Sequence, residues 1–441
     1  MSVDPRESHQ PSPHGSRIDP YVDAYAARAQ GMVASEVRAL FAVASRPEVV
    51  SLAGGMPNVS ALPLDDLGDI VRSVVTDQGA TALQYGPAQG DAHLREQICA
   101  VMAEEGIDAS PDDVIVTVGS QQALDLVTRV FVDPGDVVLT EAPTYVTAIN
   151  TFAAFQADIV HVSMDEDGVV PEALEETLAR LESEGRQAKF FYTVPTFQNP
   201  AGVTLSSQRR RQVVEICRRF NLLVLEDNPY GLLGFESDPM RALHADAPDN
   251  VIYLGSFSKT LSPGFRIGWA LAPAAVRAKL VLAAESAMLS HSIFNQLVVA
   301  RYLDVHPWRE QIKDFREMYR RRRDAMLSAL EAQMPPGTTW TRPGGGFFVW
   351  LTLPEGLDAK AMLPRAVSER VAYVPGTGFF SGDEGRRNMR LSFCYPTPEQ
   401  IREGVRRLAG VVEAEIALRD TFGNVPAPQS SGGDTPRPDL P

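Results

Sequence analysis

Seven short apolar runs recur between residues 113 and 271, at 113–117, 137–140, 158–162, 189–193, 222–225, 251–254 and 266–271. Helix-length segments separate most of them, at 121–132, 145–155, 171–184 and 206–220. Strands that alternate with helices predict an α/β unit whose sheet is mostly parallel, seven-stranded and sandwiched by helices. In such sheets ligands sit beyond the carboxyl ends of the strands. The residues that follow each run are therefore where chemistry is expected.

The most informative of these ends is GSFSKTLSPGFRIGW, 255–269. It sets one lysine, Lys259, among the hydroxyls of Ser256, Ser258 and Thr260, with Arg266 seven residues on. A buried strand thus delivers an amine to a polar turn beside a fixed cation. By itself such a lysine reads equally as a solvated loop residue. The other strand ends change the balance. The first runs into Gly119-Ser120-Gln121-Gln122, which opens a helix whose positive end favours a phosphate. The second ends at Tyr145, an aromatic face for a flat ring or a plain core tyrosine. Beyond the fourth, a Pro- and Gly-bounded turn presents Asn199; beyond the fifth come Asp227 and Tyr230.

Together these residues meet the needs of a site for a phosphorylated aldehyde cofactor, pyridoxal phosphate. Lys259 is the amine that holds the aldehyde. Ser120, Gln121, Ser256, Ser258 and Arg266 form the phosphate set. Asp227, if ionised, keeps the ring nitrogen protonated by charge attraction, and Asn199 and Tyr230 can hydrogen-bond the ring oxygen. Gly54-Gly55, after the run 49–52, reads as a turn or as a close backbone approach to a ligand.

The 441 residues are enough for two or three domain-sized units. A net charge of -15 argues against sequence-independent binding to nucleic acid or to an anionic membrane. The runs 209–211 and 320–323, rich in arginine, read as solvated or subunit-contact faces. Three scattered cysteines, Cys99, Cys217 and Cys394, lack zinc spacing and fit a reducing cytoplasm. No metal is expected. Residues 1–19 and 425–441 read as a disordered lead and tail. A helical pattern covers 20–45, a long charged helix 307–332, and strands near 347–351, 371–374 and 389–393 precede a closing helix from about Pro398.

The chain resembles the fold type I pyridoxal phosphate aminotransferases of class I/II, and more narrowly their 2-aminoadipate/kynurenine (LysN-like) subgroup. The matching stretches are SEVR, SLAGGMPN, LQYGPAQG, TVGSQQALDLV, EAPTYVTAI, FQNPAG, LEDNPYG, YLGSFSKTLSPGFRIGW, RPGGGFFVW, YVPGTGFF and NMRLSF. They run in family order from Ser35 to Phe393. The resemblance implies Lys259 as the covalent anchor and proton shuttle, Asp227 as the ring-nitrogen partner and Arg390 as the clamp on the substrate's α-carboxylate, with Asn199 and Gly55 also lining the substrate. It implies that Tyr85 reaches the phosphate in a neighbouring subunit, hence a homodimer with shared sites. It also implies a division into an N-terminal segment (20–60) joining a small α+β domain (307–424) and a large cofactor-binding domain (61–306).

For the substrate, Arg38 matches an arginine that in the subgroup can face a distal carboxylate; as a residue it reads equally as a helix-surface arginine. The expected partners are 2-oxoglutarate or glutamate on one side and 2-aminoadipate, an aromatic or an aliphatic amino acid on the other. The rival readings are another reaction on the same scaffold (β-lyase, decarboxylase or oxidase) and a transcription regulator of this fold. For the latter, the roughly fifty residues before Leu52 are expected to be too few for a DNA-binding domain.

Overall fold

The computed structural model describes residues 21, 24–30, 46 and 48–422. Apart from the short helix Ala27–Gln30, the pattern expected over 20–45 falls largely outside these residues. Arg38, the lead and the tail fall outside them altogether.

Three sheets organise the described chain. Strand β1 (Val50–Ser51) pairs in parallel with β12 (Val371–Ala372). The large sheet holds β2 (Val114–Thr117), β3 (Val137–Ala142), β4 (Asp158–Asp165), β5 (Gly168–Val169), β6 (Ala188–Thr193), β7 (Leu223–Asp227), β8 (Val251–Ser256) and β9 (Gly268–Leu271). Their order is β2-β9-β8-β7-β6-β3-β4-β5. Six run in one direction; β9 and β5 are antiparallel to their neighbours. The third sheet, β10 (Thr339–Trp340), β11 (Phe348–Thr352), β13 (Val374–Pro375) and β14 (Asn388–Ser392), has the order β10-β11-β14-β13 and is antiparallel.

The large sheet has eight strands, which corrects the expected seven. The added strand is the two-residue β5, folded back on β4 through a turn in which the Asp167 amide donates to Asp165 Oδ1 (2.9 Å) and Gly168 takes φ +92. Two residues carry no readable periodicity. The seven expected strands and the four helices between them are all present, the helices as Gly119–Phe131, Val146–Ala154, Pro171–Ser183 and Ser207–Arg219.

The central strands are buried over most of their length, and β8 throughout from Val251 to Ser256, because helices cover both faces. The long charged helix is Trp308–Gln333 and the closing helix Pro398–Phe422. The arginine runs do not form uniform solvated faces. Arg210, Arg322 and Arg323 are buried and donate to the backbone carbonyls of Leu205, Cys394 and Pro343 respectively. They act as structural ties, because a buried guanidinium needs acceptors and main-chain carbonyls supply them.

Candidate active site

The carboxyl ends of β2, β3, β6, β7 and β8 open onto one cavity of about 580 Å³, closed from the other side by Gly55, Phe348 and Arg390. Ser120, Gln121, Tyr145, Asn199, Asp227, Tyr230, Ser256, Ser258, Lys259 and Arg266 all line it. Within one chain, fold topology therefore gathers every expected site residue except two. Tyr85 is 75% exposed and does not line the cavity, and Arg38 lies outside the described residues. A larger cavity of about 800 Å³ lies at Phe197 and Gly202–Thr204, flanking the Asn199 turn, but no lysine lines it.

At one end of the cavity the backbone is shaped for an anion. After β2 the chain turns at Gly119, φ +69, where a side chain would meet Arg266 Nη2 at 2.6 Å. Arg266, itself at φ +55, donates from Nη2 to Val118 O (3.1 Å), laying its guanidinium across the start of the helix Gly119–Phe131. Across β9, a Cβ on Gly268 would come within 2.5 Å of the Ser120 amide nitrogen. Ser256 and Ser258 turn their hydroxyls on each other at 2.8 Å. A helix N-terminus, a guanidinium and two hydroxyls converge here, the donor set a phosphate requires. Gln121 commits its carboxamide nitrogen to Thr151 Oγ1 at 2.9 Å, fixing this helix to Val146–Ala154.

Lys259 follows β8 by three residues. Its Nζ donates to the Gly55 carbonyl at 2.9 Å and lies 5.7 Å from the Phe347 ring centroid. Burial pulls its pKa down to about 8. Asp227, the last residue of β7, is 4% exposed. Its Oδ2 accepts from the Tyr192 hydroxyl at 2.9 Å, while the buried Oδ1 has no partner. Burial pushes this carboxyl up to about 6, against the pull of Tyr192 and Lys259. An unpartnered buried carboxylate oxygen in a lysine-bearing cavity fits a ligand that brings its own N–H, as a protonated pyridine ring does.

Opposite stands Arg390 of β14, 4% exposed. Nη1 donates to Asn199 Oδ1 and Nη2 to Ala53 O, both at 2.9 Å. Phe348 and Phe379 flank the guanidinium at 4.1 and 5.2 Å from their centroids. Burial lowers its pKa to about 10, so it stays cationic at neutral pH. Asn199 thus spends its oxygen on Arg390 rather than keeping both ends of its amide for a ring. Tyr230 is buried edge-on against Phe347, and half-buried Tyr145 precedes the helix Val146–Ala154.

Several contributors were not singled out in the sequence. Tyr192 hides within the apolar run of β6, and its only signal is a phenolic hydroxyl next to that of Thr193 in FFYT. Phe348 and Phe379 belong to the quoted motifs RPGGGFFVW and YVPGTGFF but carry no polar mark. The carbonyls of Ala53 and Gly55 have no side-chain signature at all. Glu141, buried at the end of β3, accepts from Thr193 Oγ1 (2.6 Å), the Val194 amide (3.2 Å) and Gln198 Nε2 (3.2 Å), bracing the Asn199 turn; it lies inside the quoted stretch EAPTYVTAI.

The comparisons with known proteins agree with this geometry. Residues 58–408 match the family model "Aminotransferase class I and II". The chain is 44% identical over 398 residues to the aromatic-amino-acid aminotransferase 1 of Thermococcus litoralis, covering 90% of this chain and 95% of that one. The solved kynurenine aminotransferase of Pyrococcus horikoshii superposes with a TM-score of 0.87 at 42% identity, covering 91% of this chain and all of that one. The α-aminoadipate aminotransferase LysN of Thermus thermophilus, solved with N-(5'-phosphopyridoxyl)-L-leucine, superposes with a TM-score of 0.84 at 36% identity, covering 90% of this chain and 99% of that one. The chain belongs to the class I and II aminotransferases: it is a fold type I, pyridoxal phosphate-dependent enzyme that moves amino groups between amino acids and 2-oxo acids.

Proposed function

We propose that Lys259 is the covalent anchor of the cofactor and the proton carrier of the reaction. The observation that carries this reading is the meeting, in one cavity, of an amine with lowered pKa, a buried carboxylate oxygen without a partner and a buried guanidinium. Pyridoxal phosphate, when bound, supplies the electron sink that makes the substrate's Cα proton removable. Lys259 then takes and returns that proton, which a lysine with its pKa near 8 does better than an ordinary one. Asp227 holds the ring nitrogen and Tyr145 offers its ring face. Ser120, Gln121, Ser256, Ser258 and Arg266 hold the phosphate. Tyr230 and the Asn199 amide nitrogen serve the ring oxygen. Arg390, its fork fixed by Asn199 and Ala53, binds the α-carboxylate, and Gly55 borders the substrate.

The reading extends to a homodimer. Tyr85, exposed beside exposed Leu83, would reach the phosphate of a second copy, and Leu282, Met288 and Leu289 offer further exposed apolar surface. The pairing of β1 with β12 supports joining residues 20–60 to a small domain at 307–424, with 61–306 as the large domain. We place the enzyme in the cytoplasm, in line with three free cysteines. No helix among the described residues is long and apolar enough to cross a membrane.

For substrates, the reading is 2-oxoglutarate/glutamate as one pair and 2-aminoadipate, an aromatic or an aliphatic amino acid as the other donor, with Arg38 facing a distal carboxylate. The test is a panel of L-amino acids mixed with the cofactor-loaded protein. A true donor bleaches the visible band and yields its 2-oxo acid, and 2-oxoglutarate restores the band. Release of ammonia without need of an oxo acid would instead indicate a lyase or oxidase. Arg38→Ala should cut turnover of dicarboxylic donors far more than that of leucine; equal losses would refute the role of Arg38.

A further inference from the structure

Asp227 has two oxygens in different circumstances, and the difference comes from one residue. Strands β6 and β7 are parallel neighbours, with Tyr192 opposite Leu225 and Thr193 opposite Glu226. This register lets the Tyr192 hydroxyl reach Asp227 Oδ2 at 2.9 Å. Tyr192 is fully buried, does not line the cavity, and meets Phe152 edge-on at 5.6 Å between centroids. It cannot swing away to another acceptor or to water. Oδ1 meets no donor.

We propose that Tyr192 is a positioning residue for the cofactor: by donating to Asp227 Oδ2 it keeps the carboxylate ionised and leaves Oδ1 alone to accept the ring N–H. This rests on the reading of Asp227 as the ring-nitrogen partner. The physical need is plain. A carboxylate buried this deeply favours its neutral form, and a neutral carboxyl cannot hold the ring nitrogen protonated. The titratable groups around it are few. Lys259 favours the ionised form, whereas Tyr145, Tyr230 and Tyr253 have pKa values raised by burial and remain neutral. Among the described residues Tyr192 is the only one of these that hydrogen-bonds the carboxylate, and its own pKa, raised well above the ordinary value, keeps it a donor. A hydrogen bond from a neutral donor to an ion in a dry site is among the stronger kinds.

The experiment loads wild-type, Tyr192→Phe and Asp227→Asn proteins with pyridoxal phosphate carrying 15N in the ring. The ring-nitrogen chemical shift and the cofactor's dissociation constant are followed from pH 6 to pH 8.5, beside the melting temperature of each protein. In wild type the nitrogen stays at its protonated position. In Tyr192→Phe it moves towards the unprotonated position, and affinity falls roughly tenfold or more, the loss expected for a hydrogen bond to a charged group. A purely structural tyrosine would lower the melting temperature and leave the nitrogen signal unmoved, and that result overturns the proposal. Asp227→Asn separates the two levels. If it retains the protonated signal, the reading of Asp227 fails and takes the proposal with it. If it loses the signal while Tyr192→Phe keeps it, the proposal alone fails. Should Tyr192→Phe not fold, 3-fluorotyrosine at position 192 is a stronger donor of nearly the same shape. A lower dissociation constant then supports the role, and an unchanged or higher one overturns it.

Discussion

Arg390 Nη1 donates to Asn199 Oδ1 at 2.9 Å, joining β14 of the four-stranded sheet to the turn after β6 of the large sheet. With Nη2 on Ala53 O and a phenylalanine at each side, the guanidinium is held at one edge and along its faces. Its Nε is buried without a partner. This is a preformed fork, and a lysine at the same place would be a point charge on a flexible stem.

Arg390→Lys should therefore leave the fold intact and raise KM for amino donors by about ten- to a hundredfold, the loss of a charge-assisted hydrogen bond, with a smaller fall in kcat. Steady-state kinetics with several donors check this. An unchanged KM would remove Arg390 from substrate binding.

Lys259→Ala should reduce single-turnover proton transfer by about a thousandfold, within the range of a lost general acid–base group. The lysine-dependent visible band should vanish even where the cofactor still binds. Wild-type turnover in this variant would refute the central assignment.

Stability should fall as pH rises from 6.5 to 8 in the cofactor-free protein. Burial lifts Glu105 to about 8 and Glu141 to about 7, both from an ordinary 4.5, and raises Glu226 as well. Between the ordinary and the raised values the folded state binds more protons than the unfolded chain, so the stabilising contribution is complete at low pH and lost on the way up. Below about 6.5 the half-buried His161 and the buried His244 and His291, all lowered by burial, act in the opposite sense. Urea midpoints across the window measure the slope. Glu105→Gln should flatten it, although Tyr253 and Asn228 then share a poorer acceptor.

Gly268→Ala should weaken cofactor binding and cost about 1–3 kcal/mol of stability, the range for overpacking a filled site. The new Cβ would lie 2.5 Å from backbone atoms of Gly119 and Ser120, which cannot rotate aside as a side chain can. Gly264→Ala is the control, since its nearest neighbour would be Ser262 Oγ at 3.4 Å. Thermal melts and cofactor titrations of both variants give the comparison.

The legibility of the site follows from how each residue is marked. Lys259, Asp227 and Asn199 stand at the ends of apolar runs, and a polar group at a strand's carboxyl end in an α/β sheet points to the ligand crevice. Tyr192 sits inside a run, where a tyrosine after two phenylalanines looks like packing. The carbonyls of Ala53 and Gly55 act through the main chain, which every residue has. Strand β5 is two residues long, below what any periodicity can report.

By itself the sequence determined the α/β alternation and the strand ends that carry polar groups, the lysine after β8 among them, because these rest on local patterns of burial and charge. Only the tertiary structure decided that Asp227 has one satisfied and one free oxygen, that Asn199 is bound to Arg390, and that Lys259 meets the Gly55 carbonyl. Those contacts join residues 35, 191 and 204 positions apart. The physical reason is that a hydrogen bond depends on sheet register and domain packing in three dimensions, whereas a one-dimensional pattern records only which groups need partners.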